Sequence, residues 1–174
     1  MPMIASRSAS SIRGYGQFGV TKPNRFRYFI FDPVAVKSAG NYIQLSEFNL
    51  MNGGSRITSA TYGNWNNSFS PAASIGDSNS PGGETPALAN DGNAGTKWLD
   101  FRATDGGLYI DLGGITTTTG YQIYTANDGP GRDPYSWNIY GSTNNSTWYL
   151  ISSITAYYGT DNRNSYYGAW NWVF

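Results

Sequence analysis

Cysteine and histidine are both absent from this 174-residue chain, and Asp, Glu, Lys and Arg together make up only 13% of it. Without cysteine there is no disulfide framework, no thiolate nucleophile and no sulfur-ligated metal. Without histidine there is no zincin site, no Ser-His-Asp triad and no imidazole acid–base work, so most common hydrolytic chemistry is excluded. Long apolar runs are missing as well. After Met1 the chain reads Pro2, Met3, Ile4, Ala5, Ser6, Arg7, which lacks the apolar stretch of about 7–15 residues that a secretory leader needs. No run of about 18 apolar residues exists to span a bilayer. Neither secretion nor membrane insertion is expected, and synthesis in a cytoplasm is. The Asn-x-Ser/Thr matches at Asn66, Asn144 and Asn145 are accordingly read as turn chemistry, not as glycosylation acceptors.

What the chain does have is aromatic residues, 16% of the total, and 22 glycines. Charge at about half the ~25% of an average globular protein leaves Ser, Thr, Asn and Gly to make the surface, a mixture that favours turn-rich β-structure over helices. At this length one domain, or a domain with a tail, is expected, burying roughly 70% of its unfolded surface. Charge divides along the chain. Arg7, Arg13, Lys22, Arg25 and Arg27 all precede the first acid, Asp32, so residues 1–31 carry +5 and the rest −5. Residues 1–24, rich in Ser and Gly, are too polar to fold alone. They are expected to be an extended basic arm that orders on docking to a partner through Arg7, Arg13 and Lys22, or else an unstructured leader. A nucleic-acid partner is not expected, because the positive charges are sparse and the remainder of the chain repels phosphate. Residues 25–174 form the domain.

Within that domain, residues 25–31 alternate as a strand closed by Asp32-Pro33, and 41–50 read as its partner after a turn at Ser38-Ala39-Gly40. Ile43 and Leu45 share one face, but Phe48 and Leu50 fall on the other unless an extra residue is inserted, so a β-bulge is expected at Ser46-Glu47. Residues 51–90 read mostly as ordered loop, long enough to point to a site. Alternation then marks strands at Leu108-Ile110-Leu112, Tyr121-Ile123-Thr125, Tyr135-Trp137-Ile139, Trp148-Leu150-Ser152 and Trp170-Trp172-Phe174. Turn chemistry separates them, Gly113-Gly114 and Asn127-Asp128-Gly129-Pro130-Gly131 among it. Short strands at this spacing make an antiparallel sandwich or barrel.

Three groups of residues could carry chemistry. In Asn90-Asp91-Gly92-Asn93-Ala94-Gly95-Thr96, the side-chain oxygens of Asp91, Asn93 and Thr96 cluster around a glycine turn, which suits a hard cation wanting about 6–8 oxygen ligands. The loop is no EF-hand, because Arg102 stands at the twelfth position from Asp91, where that motif needs glutamate. Glu47 on its bulge is the natural source of a further carboxylate, since Glu47 and Glu84 are the only glutamates. The other reading is that Asp91 and Asn93 close Asx-turns while Glu47 pairs with an arginine. In Gly131-Arg132-Asp133-Pro134-Tyr135, Arg132 either holds a sugar or carboxylate through its planar fork or is fixed by acids to pin the loop before Trp137. Six Trp and fourteen Tyr exceed what one such core encloses. Trp65 with Asn66 and Asn67, and Tyr157 and Tyr158 with Arg163, are read as stacking platforms for a sugar ring, or alternatively as packing anchors and subunit contacts. Trp98, Trp137 and Trp148 are read as core.

The ordered run of Asn90-Asp91-Gly92-Asn93, Thr96-Lys97-Trp98, Ile110-Asp111-Leu112-Gly113, Gly131-Arg132-Asp133-Pro134-Tyr135-Ser136-Trp137, Gly141-Ser142 and Trp148 resembles discoidin-like domains, the coagulation-factor type C domains and related family 32 carbohydrate-binding modules. Arg27-Tyr28-Phe29-Ile30 followed by Ile43 to Phe48 is similar to that family's closing strand pair, here opening the chain. The resemblance implies an all-β, antiparallel jelly-roll sandwich of about eight strands, galactose-binding-domain-like and circularly permuted. It also implies a structural Ca²⁺ held by Asp91, Asn93 and Thr96 with Ser46 and Glu47. A Ser/Arg/Gly arm joined to such a module is similar, too, to bacteriophage virion components from tail fibres, baseplates or capsid surfaces.

The leading expectation is therefore a non-catalytic carbohydrate- or surface-binding module of a virion. It would be anchored by residues 1–24, partnered by other virion proteins and copies of itself, and present the loops around Trp65, Tyr135 and Tyr158 to a cell-surface glycan. A decoration or connector protein held by aromatic protein contacts is the second expectation. A two-carboxylate glycosidase, with Glu84 and Asp105 as its testable acids, is the third.

Overall fold

A computed structural model describes residues 25–38, 40–69 and 79–172. The arm at 1–24, with Arg7, Arg13 and Lys22, lies outside the described residues, as does Phe174. Among the described residues the alternating segments become strands β1 (Arg25–Val36), β2 (Ile43–Leu45), β3 (Glu47–Asn52), β4 (Ser55–Arg56), β5 (Thr61–Trp65), β6 (Trp98–Asp100), β7 (Gly107–Thr117), β8 (Gly120–Tyr124), β9 (Pro134–Ser142), β10 (Tyr149–Ile154) and β11 (Tyr166–Asn171), with short 3-10 turns at Pro86–Asn90 and Pro130–Arg132. The strands form a five-stranded sheet in the order β10-β9-β1-β7-β5, a four-stranded sheet in the order β11-β8-β3-β4, and a ribbon of β2 and β6. Their pairings are antiparallel. The chain is an all-β sandwich.

Strand periodicity places alternate residues on opposite faces, and β1 uses both. Phe29 and Phe31 enter the main core with Leu108, Ile110, Trp137 and Ile139, facing Phe48, Leu50, Tyr121 and Ile123 of the other sheet. Ile30 points the other way into a second cluster with Trp65 and Tyr109, against which Tyr140 and Trp148 pack. Phe69 covers that cluster, its ring 5.3 Å from Trp65 and 4.9 Å from Tyr140. Each fully buried side chain of this kind is worth about 1.5–3 kcal/mol.

The phase break at Ser46 appears as the boundary between β2 and β3. Ser46 donates its N–H to Tyr124 O at 3.0 Å, and on either side of it Ile43, Leu45, Phe48 and Leu50 all reach one core. The strand changes partner there, from β6 to β8.

Several expectations are corrected. β1 does not stop at Asp32-Pro33 but runs to Val36, because Pro33 lies beyond the last β1–β7 pair, Phe31 with Leu108, where no N–H is required on that side. Nor does it pair with residues 41–50. Its neighbours are β7 and β9, while β2 and β3 lie in other sheets. The stretch 51–90 holds β4 and β5 as well as loop. Gly113-Gly114 does not end β7. It lies in a bulge where the register jumps from Tyr28↔Asp111 to Phe26↔Thr116, with Gly113 at φ +75° and Arg27 Nε on Asp111 Oδ1 at 2.8 Å across it. In β10 the inward residue is Ile151, 7% exposed, while Leu150 is 46% exposed. A register shift between Leu150 and Ser152 turns the phase.

The two ends of the described sandwich are neighbours. Arg25 pairs with Thr117, and Trp172 donates its N–H to Thr119 O at 3.0 Å. That adjacency is the condition under which a permuted chain order costs little.

Candidate functional site

The Asp91 loop is shaped by its own polar groups. Gly92 takes φ +82°, a conformation glycine adopts without strain. Asp91 Oδ1 accepts the Asn93 N–H at 2.8 Å and Asn93 Oδ1 accepts the Gly95 N–H at 2.9 Å, two successive Asx-turns. The Thr96 hydroxyl donates to Asp91 Oδ2 at 2.7 Å. Glu47 reaches this loop from β3. Its Oε1 accepts the Gly92 N–H at 2.7 Å, and Arg56 Nη1 stands 3.4 Å from Oε2. Burial pushes the Glu47 carboxyl above its ordinary pKa, the Asp91 side chain beside it adds to the rise, and the Gly92 N–H and Arg56 act against both.

Glu47, Asp91, Asn93 and Thr96 are thus brought together, in the form of Asx-turns with a Glu–Arg pair. Ser46 is placed otherwise. Its hydroxyl donates to Thr125 O at 2.9 Å. The donor set is oxygen throughout, with two carboxylates side by side, and its composition fits a hard cation. Among the described residues no group of three or more His, Cys, Asp or Glu could hold a metal ion, so amide, hydroxyl and carbonyl oxygens would have to complete any shell.

A second concentration of groups lies where the loop before β9 meets those after β1, β6 and β10. Tyr158, 66% exposed, stands edge-to-face with Tyr135 at 4.9 Å and borders a cavity of about 230 Å³ with Lys37, Pro130, Gly131 and Asp161. Beside it Arg132 lies over the Tyr42 ring at 5.3 Å, and Tyr42 stands edge-to-face with the exposed Phe101 at 5.4 Å. Arg132 keeps only a 4.0 Å approach to Asp128, so it is not pinned by acids. Arg163 is. Its guanidinium grips both oxygens of fully buried Asp133, with Nη1 to Oδ1 at 2.9 Å, and Lys37 Nζ stands 3.2 Å from the same carboxylate. The pinning role weighed for Arg132 falls to Arg163, which a ligand would have to pull off Asp133.

The other proposed platforms divide. Tyr157 is half-buried, donates its hydroxyl to Tyr167 O at 2.9 Å and packs its ring on Trp137 and Trp170, so it belongs to the core edge. Trp65 is fully buried with its indole N–H on Ser68 O at 2.7 Å, and no face of its ring is free to stack on a sugar. Alternation within β5 places it there, a strand the loop-like composition of 51–90 had hidden. Asn66 and Asn67 are exposed beside it. Tyr42, Phe101 and Lys37 were not foreseen. Nothing local marks them, since Tyr42 meets Phe101 only because β2 pairs with β6.

A two-sheet sandwich with one oxygen-rich loop and an aromatic rim at its loop end has the form of a surface-binding module. The family model of the F5/8 type C domain matches residues 66–170, and the chain belongs to that family. Such domains are generally non-catalytic binding modules for carbohydrates or other proteins. The match begins where β5 ends, so β1 to β5, with Glu47 among them, precede it while completing both sheets. No curated protein and no solved structure matches the chain.

Proposed function

We propose that the protein is a non-catalytic carbohydrate-binding module that meets its ligand at the aromatic loop end and is carried on a bacteriophage particle through residues 1–24. The observation that carries the binding reading is exposed Tyr158 against half-buried Tyr135, beside the Tyr42–Phe101–Arg132 cluster, rigid aromatic surface with polar groups at its edge. The family supports it, and many copies on one particle would compensate for weak single-site affinity. A glycan array probed with an oligomeric, calcium-loaded sample is expected to return bound glycans. Tyr158→Ala is expected to weaken the best of them by about tenfold or more, the scale of an aromatic anchor. An empty array would sink the reading. Microscopy showing Tyr158 and Phe101 buried between subunits would favour the decoration-protein alternative, which near-zero net charge also suits.

We further propose that Ca²⁺ binds the loop through the Glu47 and Asp91 carboxylates, with Asn93 and Thr96 as neutral oxygen donors. The ion would offset the repulsion between two adjacent carboxylates, tying β3 to the loop ahead of β6. At a free concentration about a hundredfold above Kd, binding to the native state alone adds roughly 2.7 kcal/mol, which for a chain of this size raises Tm by about 5–10 °C. Differential scanning fluorimetry with Ca²⁺ and with chelator measures it. Glu47→Gln should abolish the difference, and a Tm indifferent to Ca²⁺ in the natural sequence refutes the ion.

A further inference from the structure

Most cations at the loop end already hold a carboxylate. Lys37 Nζ stands 2.7 Å from Asp161 Oδ1, Lys97 Nζ 2.7 Å from Asp128 Oδ1, and Arg163 Nη1 2.9 Å from Asp133 Oδ1. Arg132 is the exception. Among the described residues its guanidinium donates no hydrogen bond, and Asp128 Oδ2, the acid it approaches, is 4.0 Å away on a carboxylate that Lys97 already holds. Its side chain is 38% exposed, so the fork is within reach of a ligand. Packing fixes the fork in place. The guanidinium carbon lies 5.3 Å from the centre of the Tyr42 ring, which Phe101 supports from the side. Behind it Gly129, at φ +47°, leaves the necessary room, since a Cβ there would come within 3.2 Å of Arg132 Cδ.

The arginine opens on a cavity of about 240 Å³ whose lining includes Ser38, Asn41, Tyr42, Gly129 and Gly131, and among the described lining residues Arg132 is the only charged one. A site with one positive charge and no acid selects for an anion. The guanidinium has donors alone, arranged as a planar fork, so the partner that satisfies it accepts two parallel hydrogen bonds and carries one negative charge, which describes a carboxylate. A neutral hydroxyl would accept from a single N–H and leave the charge unanswered. Ser38 and Asn41, both exposed, add a hydroxyl and an amide for ring hydroxyls. Gly131 also borders the cavity beside Tyr158, so the two cavities share it as a wall. No larger residue could stand there, because a Cβ on Gly131 would collide with Ser38 Oγ.

We infer that the ligand of the loop end is an acidic saccharide. The carboxylate of a uronic or sialic acid residue takes both hydrogen bonds of the Arg132 fork, and the adjoining sugar ring meets Tyr158 across Gly131. This rests on the loop-end reading and narrows it to one class of glycan.

The test titrates the full chain, isotope-labelled and followed by NMR, with paired probes: trigalacturonic acid against its methyl ester, sialyllactose against lactose, and sulfated lactose as a further arm. At least one carboxylate probe is expected to bind about tenfold or more tightly than its neutral partner, with an advantage that shrinks as salt is raised. Arg132→Gln should remove that advantage and leave the affinity for the neutral partner unchanged, whereas Arg132→Lys, which keeps the charge without the fork, should restore only part of it. Arg132→Gln breaks no hydrogen bond of the described fold and should keep the Tm of the natural sequence. Tyr158→Ala should weaken acid and neutral probes alike. Neutral partners that bind as tightly as the acids would overturn the inference while leaving the loop-end reading standing, and so would an advantage that survives Arg132→Gln. Binding of sulfated lactose alone would overturn the carboxylate. No response to any probe would overturn the inference, and only an empty glycan array as well would take the loop-end reading with it.

Discussion

Trp137→Ala is expected to lower the unfolding free energy by about 3–5 kcal/mol, the range for deleting a large aromatic from a packed core. Trp137 is fully buried at the centre of β9, on the strand that pairs with β1 and β10. Its ring meets Trp170 edge-to-face at 5.0 Å and Phe31 at 6.4 Å. Its indole N–H donates to Tyr121 Oη at 2.8 Å, so one side chain ties the two sheets together by packing and by a hydrogen bond. Removing it leaves a cavity that the aromatic neighbours cannot fill and a buried Tyr121 hydroxyl short of a donor. Against a total stability of about 5–15 kcal/mol, that is about a fifth or more. Urea unfolding followed by the remaining tryptophan fluorescence measures it. A loss below about 1 kcal/mol would show that the sandwich does not depend on this contact.

Nearly as large an effect is expected from Asp133→Ala, about 3 kcal/mol or more, because the substitution strands two cations rather than removing one weak surface pair. Asp133 has no exposed surface and holds the Arg163 guanidinium on one side and Lys37 Nζ on the other. Lys37 keeps Asp161 at 2.7 Å as a partial substitute, which places the loss at the low end of the range for breaking a buried pair. The same carboxylate joins the end of β1, the 3-10 turn at Pro130–Arg132 and the loop before β11, so the aromatic rim around Tyr158 should lose its fixed geometry along with the stability. Chemical denaturation of the Asp133→Ala, Arg163→Ala and double variants gives the coupling energy. Additive losses would mean that Asp133 and Arg163 act independently and that the network does not hold the loop end.

Some of this architecture could be read directly from the chain. The two-faced alternation of Phe29, Ile30 and Phe31 announces a strand buried on both sides, and the broken phase between Leu45 and Phe48 requires one extra residue, which the fold supplies at Ser46. Trp65 was misread because a five-residue strand set among Asn, Ser and Gly has a loop's composition, and periodicity over so few residues is weak.

Composition and local period by themselves determined that the chain is all-β, that histidine and cysteine chemistry is excluded, and which faces of β7 and β9 are apolar. They do so because each is a property of neighbouring residues and needs no knowledge of what lies across the fold. Only the tertiary structure decided that β1 pairs with β7 and β9 instead of the next strand along. It alone decided that Arg163 rather than Arg132 takes Asp133, 30 residues away, and that Glu47 meets Gly92, 45 residues away. Those choices turn on which distant surfaces pack best and which buried charges find partners, and a pattern with a period of two carries no record of either.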